Sequence, residues 1–219
     1  MNQPYQIIFN DEYILAVAKS PKILVVPTPK NETYTLSNIL SEKFQKEQNL
    51  KVYPCHRLDR TTSGIILYAK SLEMQRTIMD QFKNHKVQKK YIAFVYGKLK
   101  RKGIIKSQVK DKYNPHKQEK LAVTKYKVLK TYPEFCVLEV KTITGRTNQI
   151  RIQFSQIGHP LVGERKFAIA KNYNLKFKRP ALHAISITFQ HPISGENLTL
   201  SAPLYPDMKE FLKKRQNQH

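Results

Sequence analysis

The apolar residues of this chain fall into short blocks, most of them one strand long and separated by brief turns. Gly64–Lys70 (GIILYAK) is a continuous apolar run and predicts a buried strand. Lys89–Gly97 (KKYIAFVYG) alternates and stops at glycine. AVTKYKVLK and FCVLEVKTI, on either side of Thr131–Glu134, predict a hairpin, and LHAISITF and NLTLSAP predict another around Ser194-Gly195. VAKSPKILVVP, from Val17 to Pro27, reads as two short strands broken at Ser20-Pro21. Helical spacing is rarer. It occurs at Leu36, Ile39, Leu40 and Phe44 behind Thr35, and at Leu72, Ile78, Met79 and Phe82 behind Ser71. It recurs at Ile150, Phe154 and Ile157, where Gly158 is the stop. Strands outnumber helices and most neighbours are hairpin-linked, which predicts an α+β fold around a mixed, largely antiparallel sheet. No domain boundary or repeat is evident, so residues 1–219 are expected to form a single domain. Lys98–Lys120 is the best candidate for a basic insertion.

Charge narrows the partner. The chain carries 39 Lys and Arg against 16 Asp and Glu, a formal net charge of +23. Such a surface favours a polyanion, because neutralising phosphates releases counterions. Between Lys83 and Lys130 the only acids are Asp111 and Glu119, and Arg165–Arg179 has none. A lysine-rich proteome with solvated faces is the plainer explanation of such an excess. A membrane surface would need a basic amphipathic helix, and Pro, Gly and strand-like alternation interrupt these segments. Nucleic acid is therefore the better partner. No run approaches a membrane span, and MNQPYQIIFNDEYILAV lacks the basic start and apolar block of a targeting signal, so a cytoplasmic location is expected. Cys55 and Cys136 lie far apart without CxxC spacing, and no histidine spacing resembles a metal triad, so no metal is expected. There is no P-loop, GxGxxG or HExxH, and no acid pair spaced for a two-carboxylate glycosidase.

Two segments carry candidate chemistry. Asp59 stands between Arg57 and Arg60, where a polar stretch meets the Gly64–Lys70 strand, with His56 close by. A neighbouring guanidinium would keep such a carboxylate ionised, which suits a nucleophile better than a general acid. A loop salt bridge accounts for the same residues equally well. In the helix TNQIRIQFSQIG, Asn148, Arg151 and Ser155 share a face distinct from the apolar stripe, behind the turn and hydroxyls of Thr144–Thr147. That face suits an anion, either a phosphate or a carboxylate. An ordinary surface arginine is the alternative. Tyr91 follows Lys89-Lys90 at the start of a strand and is either core or an exposed ring able to stack on a base. His56, His159, His183 and His191 read as structural or RNA-adjacent.

Taken in order, these segments resemble the RluA family of RNA pseudouridine synthases. HRLDRTTSGIILYAK resembles its HRLD-x-x-TSG element, and KKYIAFVYG its Lys-x-Tyr strand. TITGRTNQIRIQFSQIGHPLVGE resembles its TGR-x-H-Q-I-R helix and following glycine turn, and LHAISITFQHPISGENLTLSAPLYPDM its closing hairpin. The resemblance implies one mixed sheet split by a basic active-site cleft. It makes Asp59 the catalytic aspartate, Tyr91 the active-site tyrosine and Arg151 the arginine that pairs with the aspartate. It places Leu182 beside the base and gives Arg57 a part in opening the RNA. His56, Asn148 and Lys89 complete the expected substrate contacts. Three departures stand out: Lys19-Ser20-Pro21-Lys22 for Lys-Pro-x-Gly, Asn148 for the helix histidine, and Gly163-Glu164…Phe167-Ala168 for GD…YG. The first catalytic strand is expected near Ile14, which leaves no room for the N-terminal S4 domain of many relatives.

The implied activity is isomerisation of specific uridines in an rRNA or tRNA stem-loop, by a monomer that needs no cofactor because nothing is oxidised or lost. Two rivals remain open at this point. One is a non-catalytic RNA-binding or ribosome-assembly protein that shares the charge without needing Asp59. The other is a nucleosidase or other hydrolase, which would release free uracil.

Overall fold

The structure is a computed structural model that describes residues 3–110, 119–168 and 174–216. Its elements are, in chain order, β1 (Tyr5–Asn10), β2 (Ile14–Lys19), α1 (Leu36–Gln48), β3 (Tyr53–Pro54), β4 (Ser63–Ala69), α2 (Leu72–Lys83) and β5 (Gln88–Tyr96). There follow β6 (Lys102–Val109), β7 (Lys120–Thr131), β8 (Phe135–Thr142), α3 (Gln149–Gln156), β9 (Leu182–Gln190), β10 (Asn197–Ser201) and α4 (Pro206–Gln216). The chain divides into two compact units, Met1–Val87 with Ala184–His219, and Gln88–His183. The fold is α+β, as the strand-rich pattern predicts.

In the first unit β2 pairs antiparallel with β1 and β4, β3 with β4, and β9 with β10. All seven residues of β4 are buried, which explains its unbroken apolar run. Gly64, with φ 118°, lets β4 approach β9 closely: a Cβ there would lie 2.2 Å from the Ala184 carbonyl oxygen. The Thr35 hydroxyl accepts from Asn38 N (3.3 Å) to open α1, and Ser71 accepts from Met74 N (3.2 Å) to open α2. The buried face of α2 differs from the expected stripe. Met74, Ile78 and Gln81 face inward, whereas Leu72 and Met79 are about half exposed. Gln81 can be buried because its amide is satisfied at both ends by the Gln190 backbone (2.8 and 2.9 Å).

Only the first half of Val17–Pro27 is a strand. Ile23 and Val25 are buried, but Lys22 turns the chain with φ 72°. The carbonyls of Leu24 and Val25 then accept from Leu36 N and Ser37 N (2.8 and 3.0 Å). The backbone is thus bonded to the start of α1, and a single parallel bridge, Leu24 to Thr35, stands where the second strand was expected. Helix α4 was not expected. Its signals were present, with Pro206 at the first position, Asp207 in the first turn and Lys213-Lys214-Arg215 in the last.

In the second unit the strands run β5-β8-β7-β6, each antiparallel to the next. The expected hairpin is β7–β8, with a register shift between Val128 and Lys130. Within the 98–120 segment, Lys102–Val109 forms β6 and pairs with β7 along its whole length, while residues 111–118 lie outside those described. Helix α3 packs on one face of this sheet. The Phe154 ring meets Tyr126 edge-on at 5.8 Å. Gln153 is fully buried and its amide donates to the carbonyls of Ala122 (2.9 Å) and Ile105 (3.3 Å).

Candidate active site

Asp59 sits on a turn that the first unit holds from several sides. The Asp59 carbonyl accepts from Thr62 N (3.1 Å), closing the turn just before β4. The next carbonyl, that of Arg60, accepts from Lys22 N (2.7 Å) and from the Lys19 ammonium (3.3 Å). Lys19 is 1% exposed, and its ammonium also donates to the carbonyls of Ser20 (2.8 Å) and Ile23 (2.9 Å). A buried cation thereby ties the turn to the loop after β2. Leu58 is buried, and Asp59 itself is half-buried.

The flanking charges are used in different ways. Arg60 reaches away to Glu32 (3.2 Å). The Thr28 hydroxyl and amide hold the Glu32 carboxyl below its usual range, and Arg60 adds to this. Arg57 is exposed. His56 has a bracing role: its Nε2 accepts from Leu67 N (3.1 Å), so that nitrogen carries no proton, and its ring packs on Phe82 at 5.0 Å. Cys55 N donates to the Leu67 carbonyl (2.9 Å), so the residues preceding Asp59 are pinned to β4.

The second unit carries Arg151, Tyr91, Asn148, Lys89 and Leu182. Arg151 is buried, as a helix residue committed to an anion should be, and its anion within this unit is Glu164. Nε donates to Oε2 (2.7 Å) and Nη2 to Oε1 (2.9 Å), a two-pronged pair with the Glu164 side chain fully buried. Nη1 donates to Asn148 Oδ1 (2.7 Å), so Asn148 and Arg151 do share a face. The Phe167 ring lies 4.9 Å from the guanidinium. Glu164 Oε1 also accepts from Lys166 N (2.9 Å) and Phe167 N (3.3 Å). Gly163 permits this placement, since a Cβ there would lie 2.1 Å from the Arg179 carbonyl oxygen. In the sequence Glu164 stands out only as a departure from the family's Gly-Asp, with no role attached; the further signal was its place beside a glycine turn, just before a stretch with no acids at all.

Two expectations about α3 need correction. No hydroxyl caps α3: its N-cap is Asn148, at φ 53° and without a side-chain cap bond. The Gln149 amide oxygen organises the preceding turn instead, accepting from Arg146 N (2.9 Å) and the Thr144 hydroxyl (2.8 Å). Ile150 and Phe154 are buried as expected, but Ile157 is 41% exposed. Of the two readings left open for Tyr91, core or an exposed ring, its 7% exposure fits the first. Lys89 is half-buried, and desolvation lowers its pKa below the ordinary lysine value. Leu182 is buried, and its carbonyl accepts from the buried Arg179 (3.0 Å).

Among the described residues no group of His, Cys, Asp and Glu could hold a metal ion, and no helix is long and apolar enough to cross a membrane.

A family model described as RNA pseudouridylate synthase matches residues 13–156. The chain belongs to this family. Its members isomerise uridine to pseudouridine in RNA, and the resemblance read from the motifs is borne out. Ribosomal large subunit pseudouridine synthase D of Nitrosomonas europaea is 31% identical to this pseudouridine synthase family member, over 98% of this chain and 66% of its own length. The chain thus spans about two thirds of that relative. tRNA pseudouridine synthase C of Vibrio parahaemolyticus is 32% identical over 91% of this chain and 90% of its own. Among solved structures, human RNA pseudouridylate synthase domain containing 4 has a TM-score of 0.79 at 20% identity, covering 96% of this chain and 92% of its own. Human RNA pseudouridylate synthase domain containing 1 has 0.75 at 20% identity, covering 94% and 87%. These likenesses establish the fold.

Proposed function

We propose that this chain isomerises uridine to pseudouridine in rRNA or tRNA, with Asp59 as the essential carboxylate. The observation that supports this most is the segment HRLDRTTSG inside the family match, with its aspartate on a turn braced by Lys19, Lys22 and Thr62. A nucleophile or base needs a fixed position more than it needs reach, and that bracing supplies it.

The reaction breaks N1–C1′, turns the uracil and joins C5 to C1′; the proton displaced from C5 leaves to solvent and N1, freed of the sugar, takes one up. Atoms then balance without an oxidant or co-substrate. Asp59 acts on the sugar or the base. Arg151 supplies the guanidinium partner that the resemblance implies for the aspartate. Glu164 and Asn148 take three of its five N–H donors, which fixes its plane. Tyr91 takes the active-site tyrosine role within a largely closed environment, as an edge or wall of the base pocket. Leu182 offers apolar contact to the base, and Arg57, His56, Asn148 and Lys89 belong to the RNA-binding set. Extracting a uridine costs a few kcal/mol, least in a loop, and phosphate contacts from Arg57 and Lys89 offset part of it.

Release of tritium from 5-labelled uridine tests this reading, using total RNA from cells that lack the gene. Wild-type protein should release tritium and leave pseudouridine in the nucleoside digest. Binding without release would favour a non-catalytic RNA-binding protein, and free uracil would indicate a hydrolase.

A further inference from the structure

The sheet of the second unit has a second face that catalysis does not use. Tyr91, Val140 and Tyr126 lie opposite one another across β5, β8 and β7, and Tyr126 meets Phe154 of α3, so all three point to the helix side. Their strand neighbours point the other way. One row there reads Lys90, Lys141, Lys125 and Ile104, and the next reads Ile92, Glu139, Lys127 and Lys102. These rows border an open groove of about 810 Å³ whose lining includes five cations, Arg101, Lys102, Lys125, Lys127 and Lys141, and one acid, Glu139. Glu139 is already paired with Lys90 at 3.6 Å. None of the five cations has an ion pair among the described residues. Ile104 adds an exposed apolar side chain, at 57%.

This arrangement opposes the stability of the sheet. Like charges directly opposite each other on neighbouring strands repel, and here Lys125 faces Lys141 while Lys127 faces Lys102. Opposite charges would be the better choice for a face that merely meets water. A polyanion turns the same repulsion into binding, because each phosphate neutralised releases a counterion.

We infer that this face is a phosphate-binding platform for a folded flank of the RNA, separate from the side chains assigned to catalysis. The inference rests on RNA being the substrate. It adds a second contact surface, on the side of the sheet away from Tyr91 and α3. A substrate large enough to reach both faces gains affinity from the platform, whereas a minimal stem-loop does not.

The test is the triple variant Lys102→Gln, Lys125→Gln, Lys127→Gln, compared with wild type on a long folded RNA and on a minimal stem-loop. All three residues are exposed, so the variant should melt at or slightly above the wild-type temperature. Binding to the long RNA should weaken about tenfold at physiological salt, and the slope of log K against log salt should fall by about 2–3. Turnover on the stem-loop should not change. Unchanged affinity and slope on the long RNA would overturn the platform and leave these lysines as guards of the β6 edge. If wild type binds but forms no pseudouridine, the catalytic reading fails, while the change in slope still decides the platform.

Discussion

Glu164→Ala probes the buried ion pair of the second unit. The substitution removes both charge-assisted bonds to Arg151 and the acceptor for two backbone amides, those of Lys166 and Phe167. Arg151 cannot simply turn to water, because its side chain is 10% exposed and Asn148 holds the third nitrogen. Breaking a buried ion pair by deleting one partner costs roughly 3–5 kcal/mol, since the other charge stays desolvated. The residual exposure of Arg151 argues for the lower end, about 3 kcal/mol. For a chain of this size that corresponds to a fall in Tm of roughly 6–12 °C. Thermal melting and urea titration would measure it, and Glu164→Gln provides a milder variant should the alanine protein not fold. The double variant Arg151→Met, Glu164→Leu should recover most of the loss, because removing both charges leaves neither stranded. A single variant that melts within about 2 °C of wild type would refute the reasoning, as would a double variant less stable than the single.

Three further outcomes follow from the same geometry. Gly64→Ala should cost more than about 3 kcal/mol or prevent folding, because the new methyl meets the Ala184 backbone, and a loss below 0.5 kcal/mol would deny the close approach. Burial pushes the Cys55 thiol up to about 12, so native protein at pH 8 should resist iodoacetamide at this residue and react there only on unfolding, as read by mass spectrometry. Desolvation lowers the Lys89 pKa below the ordinary 10.5, so the unfolded chain holds that proton more tightly and stability rises with pH through the window between the folded value and 10.5. Relative to wild type, Lys89→Met should therefore be favoured below that window, with the advantage shrinking as pH approaches 10.5. An offset independent of pH would contradict it.

The parts of this fold legible in the sequence are those where local pattern and burial agree. β4 is buried on every side chain, so its apolar run was unambiguous, and α1 and α2 opened at the threonine and serine expected to cap them. Illegible parts depend on contacts distant in sequence. Ile23 and Val25 look like strand residues, but the backbone there bonds to the start of α1 through the carbonyls of Leu24 and Val25. Tyr91 could be read as core or as an exposed ring beside its two lysines, and only its strand, which turns it toward the face that α3 covers, separates the two. Asp59 was singled out because motif and charge context marked the same residue. Glu164 was noted only as a departure from the family pattern, because its role lies in a guanidinium 13 residues away, reached only after the chain turns at Gly163.

The central claim is that one carboxylate, that of Asp59, carries the isomerisation while the rest of the chain holds the RNA. Asp59→Asn tests it most directly, with pseudouridine formation and RNA affinity measured on the same preparation. The account predicts no detectable pseudouridine and an affinity within a few-fold of wild type. Turnover close to that of wild type would contradict it.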